Sequence, residues 1–179
     1  MRTLLLPLAL AAAFSAHAQT FTLKSSTVGG QATLDQVFNS FGCTGKNLSP
    51  ELNWSNAPEG TKSFAVTMYD PDAPTGSGFW HWVVFDLTAT TTELPAGAGT
   101  AGHTGMPATA VQSTTDFGAP GYGGPCPPPG HGAHRYVVTV YALRTEKLGL
   151  DAKATPALVG FNLHSQTLAK ASILFYYER

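Results

Sequence analysis

The sequence predicts a mainly β domain, an antiparallel β-sandwich with a helix near the C-terminus and short peripheral helices. Two observations carry this expectation. Strand signals dominate the chain: "SFAVTMYD" (63–70), "FWHWVVFDL" (79–87), "HRYVVTVYAL" (134–143) and "ASILFYYER" (171–179) are rich in β-branched and aromatic residues, which suit a pleated, half-buried surface. Helical signals are few and late, and many strands with one late helix pack most readily as a sandwich.

In chain order, "AQTFTLKSST" reads as a first strand, and "ATLDQVFNS" (32–40) as a turn or two of helix. In 63–70, Phe64, Val66 and Met68 alternate with Ala65, Thr67 and Tyr69, the period of a strand. The run 79–87 reads as a buried strand, and 134–143 as another. Loops rich in Gly, Pro, Asn and Thr occupy 42–50, 55–62, 71–78 and 95–130. A loop as long as the last is usually functional or disordered. "ATPALVGFNLHSQTLAKA" offers Thr155 as N-cap and Pro156 at the first helical position. Leu158, Phe161 or Asn162, Ser165 and Leu168 then recur at helical spacing. Trp54 and Trp82 read as core.

Residues 1–18 read as a cleaved secretory signal: Arg2, an apolar run from Leu4 to Phe14, then Ala16-His17-Ala18. The run is shorter than the roughly 20 apolar residues of a spanning helix. Paired arginines are absent, so the route is Sec-type and the protein periplasmic or secreted. Residues 19–179 then form a single domain. Charged residues make up 12% of the chain and the net charge is −1, so neither a nucleic-acid footprint nor a basic membrane patch is visible. The two cysteines, Cys43 and Cys126, invite a disulfide in an oxidising compartment; two buried thiols are the alternative.

Two stretches could carry chemistry. In "YDPDAPTGSGFWHW", Asp70 and Asp72 flank Pro71 at a strand end, Pro74 stiffens the turn, and His81 begins the next strand. A plain Asp-Pro turn with solvated carboxylates is the competing reading. "GAPGYGGPCPPPGHGAHRY" (118–136) lacks the Gly-Lys-Ser/Thr of a phosphate loop and feeds a strand rather than a helix. It ends in His134-Arg135-Tyr136, where strand geometry sends His134 and Tyr136 to one face and Arg135 to the other. Cys126 with His131 or His134 could form a nucleophile pair, but no helix N-terminus is at hand to activate the thiol. His81, His134, Asp70 and Asp72 are metal-ligand types, at a spacing that matches no compact metal motif. A serine hydrolase would lack its Gly-x-Ser-x-Gly elbow. His103 and His164 stand isolated, and His17 leaves with the signal.

Together, "NLSPELNWSNAPEGTKSFAVTMYDPDAP", "HWVVFDL", "DFGAPGYGGPCPPPGHGAHRYVVTVYALR" and "LAKASILFYYER" resemble the phosphatidylethanolamine-binding proteins, nearest to the bacterial Raf-kinase-inhibitor-like branch. The resemblance covers nearly the whole mature chain. It implies a central antiparallel sheet packed on a smaller one, a C-terminal helical segment, and a small anion pocket at one end. By motif, the lining would be Asp70, Asp72, Pro74, His81, Pro125, Cys126, Pro128, His134 and Tyr136, with the Ala73–Pro74 bond cis. An anion would be held by imidazole N–H, phenol O–H and loop backbone N–H groups. The carboxylates would orient the histidines, Asp70 contacting one of them, or meet a cationic amine. Animal relatives carry glycine where Cys126 stands, so this wall would be pinned to Cys43. Related bacterial chains often carry glycine where Phe175 stands, which bears on the packing of the last strand.

The expected function is an exported binding protein for a small anion or phospholipid head group, without cofactor or metal. A regulatory module that binds or inhibits other proteins through the same surface is the alternative, and a hydrolase or metal-dependent enzyme a more distant one.

Overall fold

The structure is a computed structural model that describes residues 19–179; the expected signal lies outside the described residues. The strands are β1 (Thr22–Lys24), β2 (Leu52–Ser55), β3 (Ser63–Asp70), β4 (Phe79–Thr88), β5 (Glu93–Leu94), β6 (Val111–Gln112), β7 (His134–Leu143) and β8 (Thr167–Tyr177), with helix α1 (Pro156–Gln166) before the last. They form two antiparallel sheets, β1-β2-β5 and β6-β4-β3-β7-β8. The expected sandwich is present, and among the described residues α1 is its one α-helix.

The main core lies between the sheets. Leu52 and Trp54 of the small sheet meet Phe64, Val66, Met68, Trp82, Val84, Val138 and Val140 of the large one. The opposite face of the large sheet carries Ala65, Val83, Phe85 and Leu143, covered by Val159 and Leu163 of α1. β3 is therefore apolar on both faces, which suits a central strand with neighbours on either side.

Three local expectations are corrected. Residues 32–40 form turns rather than helix, held by Gln36 Oε1, which accepts from both the N–H and the hydroxyl of Thr33 at 3.0 Å. α1 has the expected cap, Thr155 accepting from the Leu158 N–H with Pro156 in the first turn. Its buried face is Pro156, Val159 and Leu163, however, while Phe161 is 75% exposed. The helix also stops at Gln166, and β8 begins at once at Thr167. From there Ala169, Ala171 and Ile173 pack on the core, with Leu168, Lys170, Ser172 and Leu174 facing outward, so a period of two prevails over the helical one. The short strands β2, β5 and β6 owe their place to pairing with neighbours.

The sheet order explains why the motifs converge. β4 and β7 flank β3 and run antiparallel to it, so the end of β3 lies beside the starts of both. Asp70, His81, His134 and Tyr136 thus gather at one end of the sheet.

Urea denaturation checks the helix face. Leu163→Ala costs about 2–4 kcal/mol, whereas Phe161→Ala changes stability by about 0.5 kcal/mol or less.

Candidate functional site

A β-bulge places the first histidine. Met68 pairs with Trp82 and Tyr69 with Trp80, so His81 is the extra residue on β4. A bulge re-aims a side chain. Trp80 packs on the α1 side. Trp82 turns to the main core, and the His81 ring stands 5.2 Å from the Tyr136 ring. His81 is also tied twice to the glycine/proline wall: its Nδ1–H donates to the Gly123 carbonyl at 2.8 Å, and its own carbonyl accepts from the Gly123 N–H at 2.9 Å.

His134 and Tyr136 share one face of β7, both buried, while Arg135 points outward. His134 Nδ1 lies 2.7 Å from Asp70 Oδ2, both side chains being buried. His134 Nε2 is 2.8 Å from Nδ1 of His131, so Asp70, His134 and His131 form a chain leading outward to an exposed imidazole. Phe175 is fully buried and stacks on Tyr136 at 5.5 Å, so it packs against a cavity-lining residue. The Tyr136 hydroxyl is buried and has no hydrogen-bond partner, a costly arrangement for a polar group. Burial and the nearby Asp70 carboxylate push its pKa up.

These groups border a cavity of about 150 Å³, lined by Asp70, Pro74, His81, Cys126, Pro128, His134 and Tyr136 as expected. Phe41, Ala73, Thr75, Phe79, Phe117 and Pro127 complete it. The two other expected lining residues are elsewhere. Asp72 turns away from the cavity: Oδ1 accepts from Arg135 Nη2 at 2.6 Å, and Oδ2 from Arg135 Nε and N at 2.9 Å. The Arg135 side chain holds the Asp72 carboxyl down at about 2. Pro125 faces the 36–38 segment, its carbonyl accepting from the Phe38 N–H at 3.0 Å. The Ala73–Pro74 bond is trans, correcting the expected cis form.

Several backbone groups of the expected N–H cradle are engaged within the protein or absent, while the Cys126 N–H beside the cavity makes no hydrogen bond among the described residues. Gly123 N–H is taken by His81 and Gly124 N–H by Asn47 Oδ1, while Pro125, Pro127 and Pro128 have no N–H. Asn47, not anticipated from the sequence, positions this wall. Its side chain accepts from Gly124 at 2.7 Å and donates to the Tyr122 carbonyl at 3.2 Å. A Cβ on Gly124 would lie 2.0 Å from the Gln36 carbonyl oxygen, so only glycine lets the wall dock. Cys43 and Cys126 are disulfide-bonded, which leaves Cys126 without a thiolate for nucleophilic attack. The missed aromatic rim groups rings distant in sequence, with Phe117 4.6 Å from Phe38, 4.8 Å from Phe79 and 5.3 Å from His81. Phe117 does fall within the quoted "DFGAPGYGG" motif, the signal that could have found it.

Comparison with known proteins agrees with this architecture. The family model described as phosphatidylethanolamine-binding protein matches residues 24–178. UPF0098 protein YbcL of Escherichia coli (strain K12) is 50% identical, with 99% of each chain covered. UPF0098 protein YbhB of the same strain is 55% identical over 76% of this chain and 85% of its own. A crystal structure of E. coli YbcL, described as a new member of the mammalian PEBP family, superposes with a TM-score of 0.86 at 51% identity, covering 89% of this chain and 98% of its own.

Replacing both cysteines by serine removes a cross-link spanning 83 residues and costs about 4–5 kcal/mol in the chain-entropy account, measured by denaturation under oxidising conditions. A second prediction concerns His81. Burial lowers its pKa from 6.5 to about 4, with the Gly123 carbonyl and Asp70 opposing. Between these values the unfolded chain takes a proton that the folded protein refuses. This contribution to stability is present above pH 6.5, and about 3 kcal/mol of it is lost as pH falls to 4. His81→Gln flattens that part of the stability–pH profile.

Proposed function

Because this chain belongs to the phosphatidylethanolamine-binding protein family, we propose that it is an exported binding protein for a small oxyanion such as a phosphate or a phospholipid head group. The observation that carries this reading is the Tyr136 hydroxyl, buried beside the cavity with no protein partner. A ligand oxygen that accepts from it would satisfy a group otherwise desolvated at a cost.

The carboxylates support the same reading. Asp70 already holds a histidine and Asp72 an arginine, so they orient protein groups and leave the oxyanion, not a ligand amine, as the recognised group. The cavity, at about 150 Å³, has room for a head group, and acyl chains would stay outside it. The disulfide supports export, since such bonds persist in oxidising compartments. Among the described residues no helix is long and apolar enough to cross a membrane.

Calorimetry with inorganic phosphate and with phosphoethanolamine tests the reading. Both bind the wild-type chain with affinities within a few-fold of each other. Tyr136→Phe, which deletes only the hydroxyl, weakens each by about tenfold to a hundredfold, as expected for a hydrogen bond to a charged group. An unchanged affinity in Tyr136→Phe, or no binding of either probe, sinks the proposal. Mass spectrometry of the secreted protein gives an N-terminus at Gln19.

A further inference from the structure

We infer that the pocket takes up its anion together with one proton from solvent, and that Nε2 of His81 receives it; this rests on the anion-binding reading above. The argument begins with a tautomer. A carbonyl oxygen can only accept, so the Gly123 contact requires the hydrogen of His81 on Nδ1. The neutral ring then presents a lone pair at Nε2, which has no partner among the described residues. An oxyanion meeting that lone pair finds repulsion where a donor is needed.

No lysine or arginine side chain stands ready at the cavity to supply the missing positive charge. Arg135 is bound to Asp72 on the outer side. Both ring nitrogens of His134 are already engaged, by Asp70 and by His131. The groups facing His81 are Asp70 from β3, Tyr136 from β7, and Asp116 and Phe117 from the segment beside Trp80, together with the wall carbonyls of Gly123 and Gly124. Asp70, the carboxylate in the cavity lining, already holds His134, and Asp116 is exposed outside that lining, so neither offers a donor to a bare anion.

A single proton on Nε2 reverses this. His81 then donates from Nδ1 to Gly123 and from Nε2 to the ligand, beside the Tyr136 hydroxyl, and its charge opposes that of the anion. No ligand bond is made or broken; the proton comes from water or buffer and returns there on release. In the free protein burial disfavours this protonated form, with a pKa of about 4, so near neutral pH the proton arrives with the anion.

Sulfate is the probe, because it carries no titratable proton near neutral pH. Titration calorimetry between pH 5.5 and 7.5, in two buffers of different ionisation enthalpy, should show about one proton taken up per sulfate bound. Affinity should fall about tenfold per pH unit. His81→Gln removes the group that takes the proton, so whatever sulfate binding remains should show neither the uptake nor the pH slope. In the wild-type chain, ¹⁵N spectra should move His81 Nε2 from the unprotonated to the protonated range when sulfate is added, a readout that holds even if the variant fails to fold. Sulfate binding with no proton uptake and no slope overturns the inference and leaves the proposed function standing. Uptake that persists in His81→Gln overturns the assignment to His81 and places the proton on the Asp70–His134–His131 chain. Binding of phosphate but not sulfate means that the ligand brings its own proton, and also overturns it. Failure of both anions to bind at any pH removes the proposed function itself.

Discussion

The double link between His81 and Gly123 is the constraint on which the pocket depends. One bond uses the backbone of β4 and the other the imidazole, so a single residue joins sheet to wall and fixes its own tautomer in doing so. This is possible because the bulge turns His81 toward the side occupied by Trp82. Without the extra residue, alternation along the strand would send the imidazole to the opposite face.

The wall is rigid for reasons distributed through the chain. Its prolines restrict the backbone and remove N–H groups, and several of the remaining polar groups are drawn into contacts with Asn47, Phe38 and His81. The disulfide to Cys43 adds a covalent tie. Asn47 holds a left-handed backbone at φ 54°, a conformation asparagine tolerates better than most residues. That bend brings its amide against both Tyr122 and Gly124. The wall therefore presents few free donors to the cavity.

The charges in the site are arranged as pairs before any ligand arrives. Asp70 orients His134, and Asp72 clasps Arg135 on the outer side of the same strand. The contrast follows from strand alternation, which sends neighbouring residues to opposite faces. It also accounts for the two carboxylates near the cavity. One is engaged with a buried imidazole, and the other lies outside the cavity.

The sequence by itself determined the sandwich class, the four long strands, the cap of α1 and most of the pocket side chains. The first three are properties of local periodicity and capping, as is the placing of His134 and Tyr136 on one face of β7, whereas the lining set came from the resemblance of contiguous motifs to the family. The tertiary structure alone decided the short strands, the true buried face of α1 and the immediate switch from helix to strand at Thr167, because each depends on which neighbour supplies pairing or cover. It alone turned Asp72 and Pro125 out of the cavity, brought Phe41, Phe79 and Phe117 to its rim, and set Asn47 against the wall. It alone showed His81 as a bulged residue, since a bulge is defined by the register of two strands and one strand's sequence contains no register. The residue types around the cavity were legible in the chain; which of their atoms are engaged was settled by contacts between segments far apart along it.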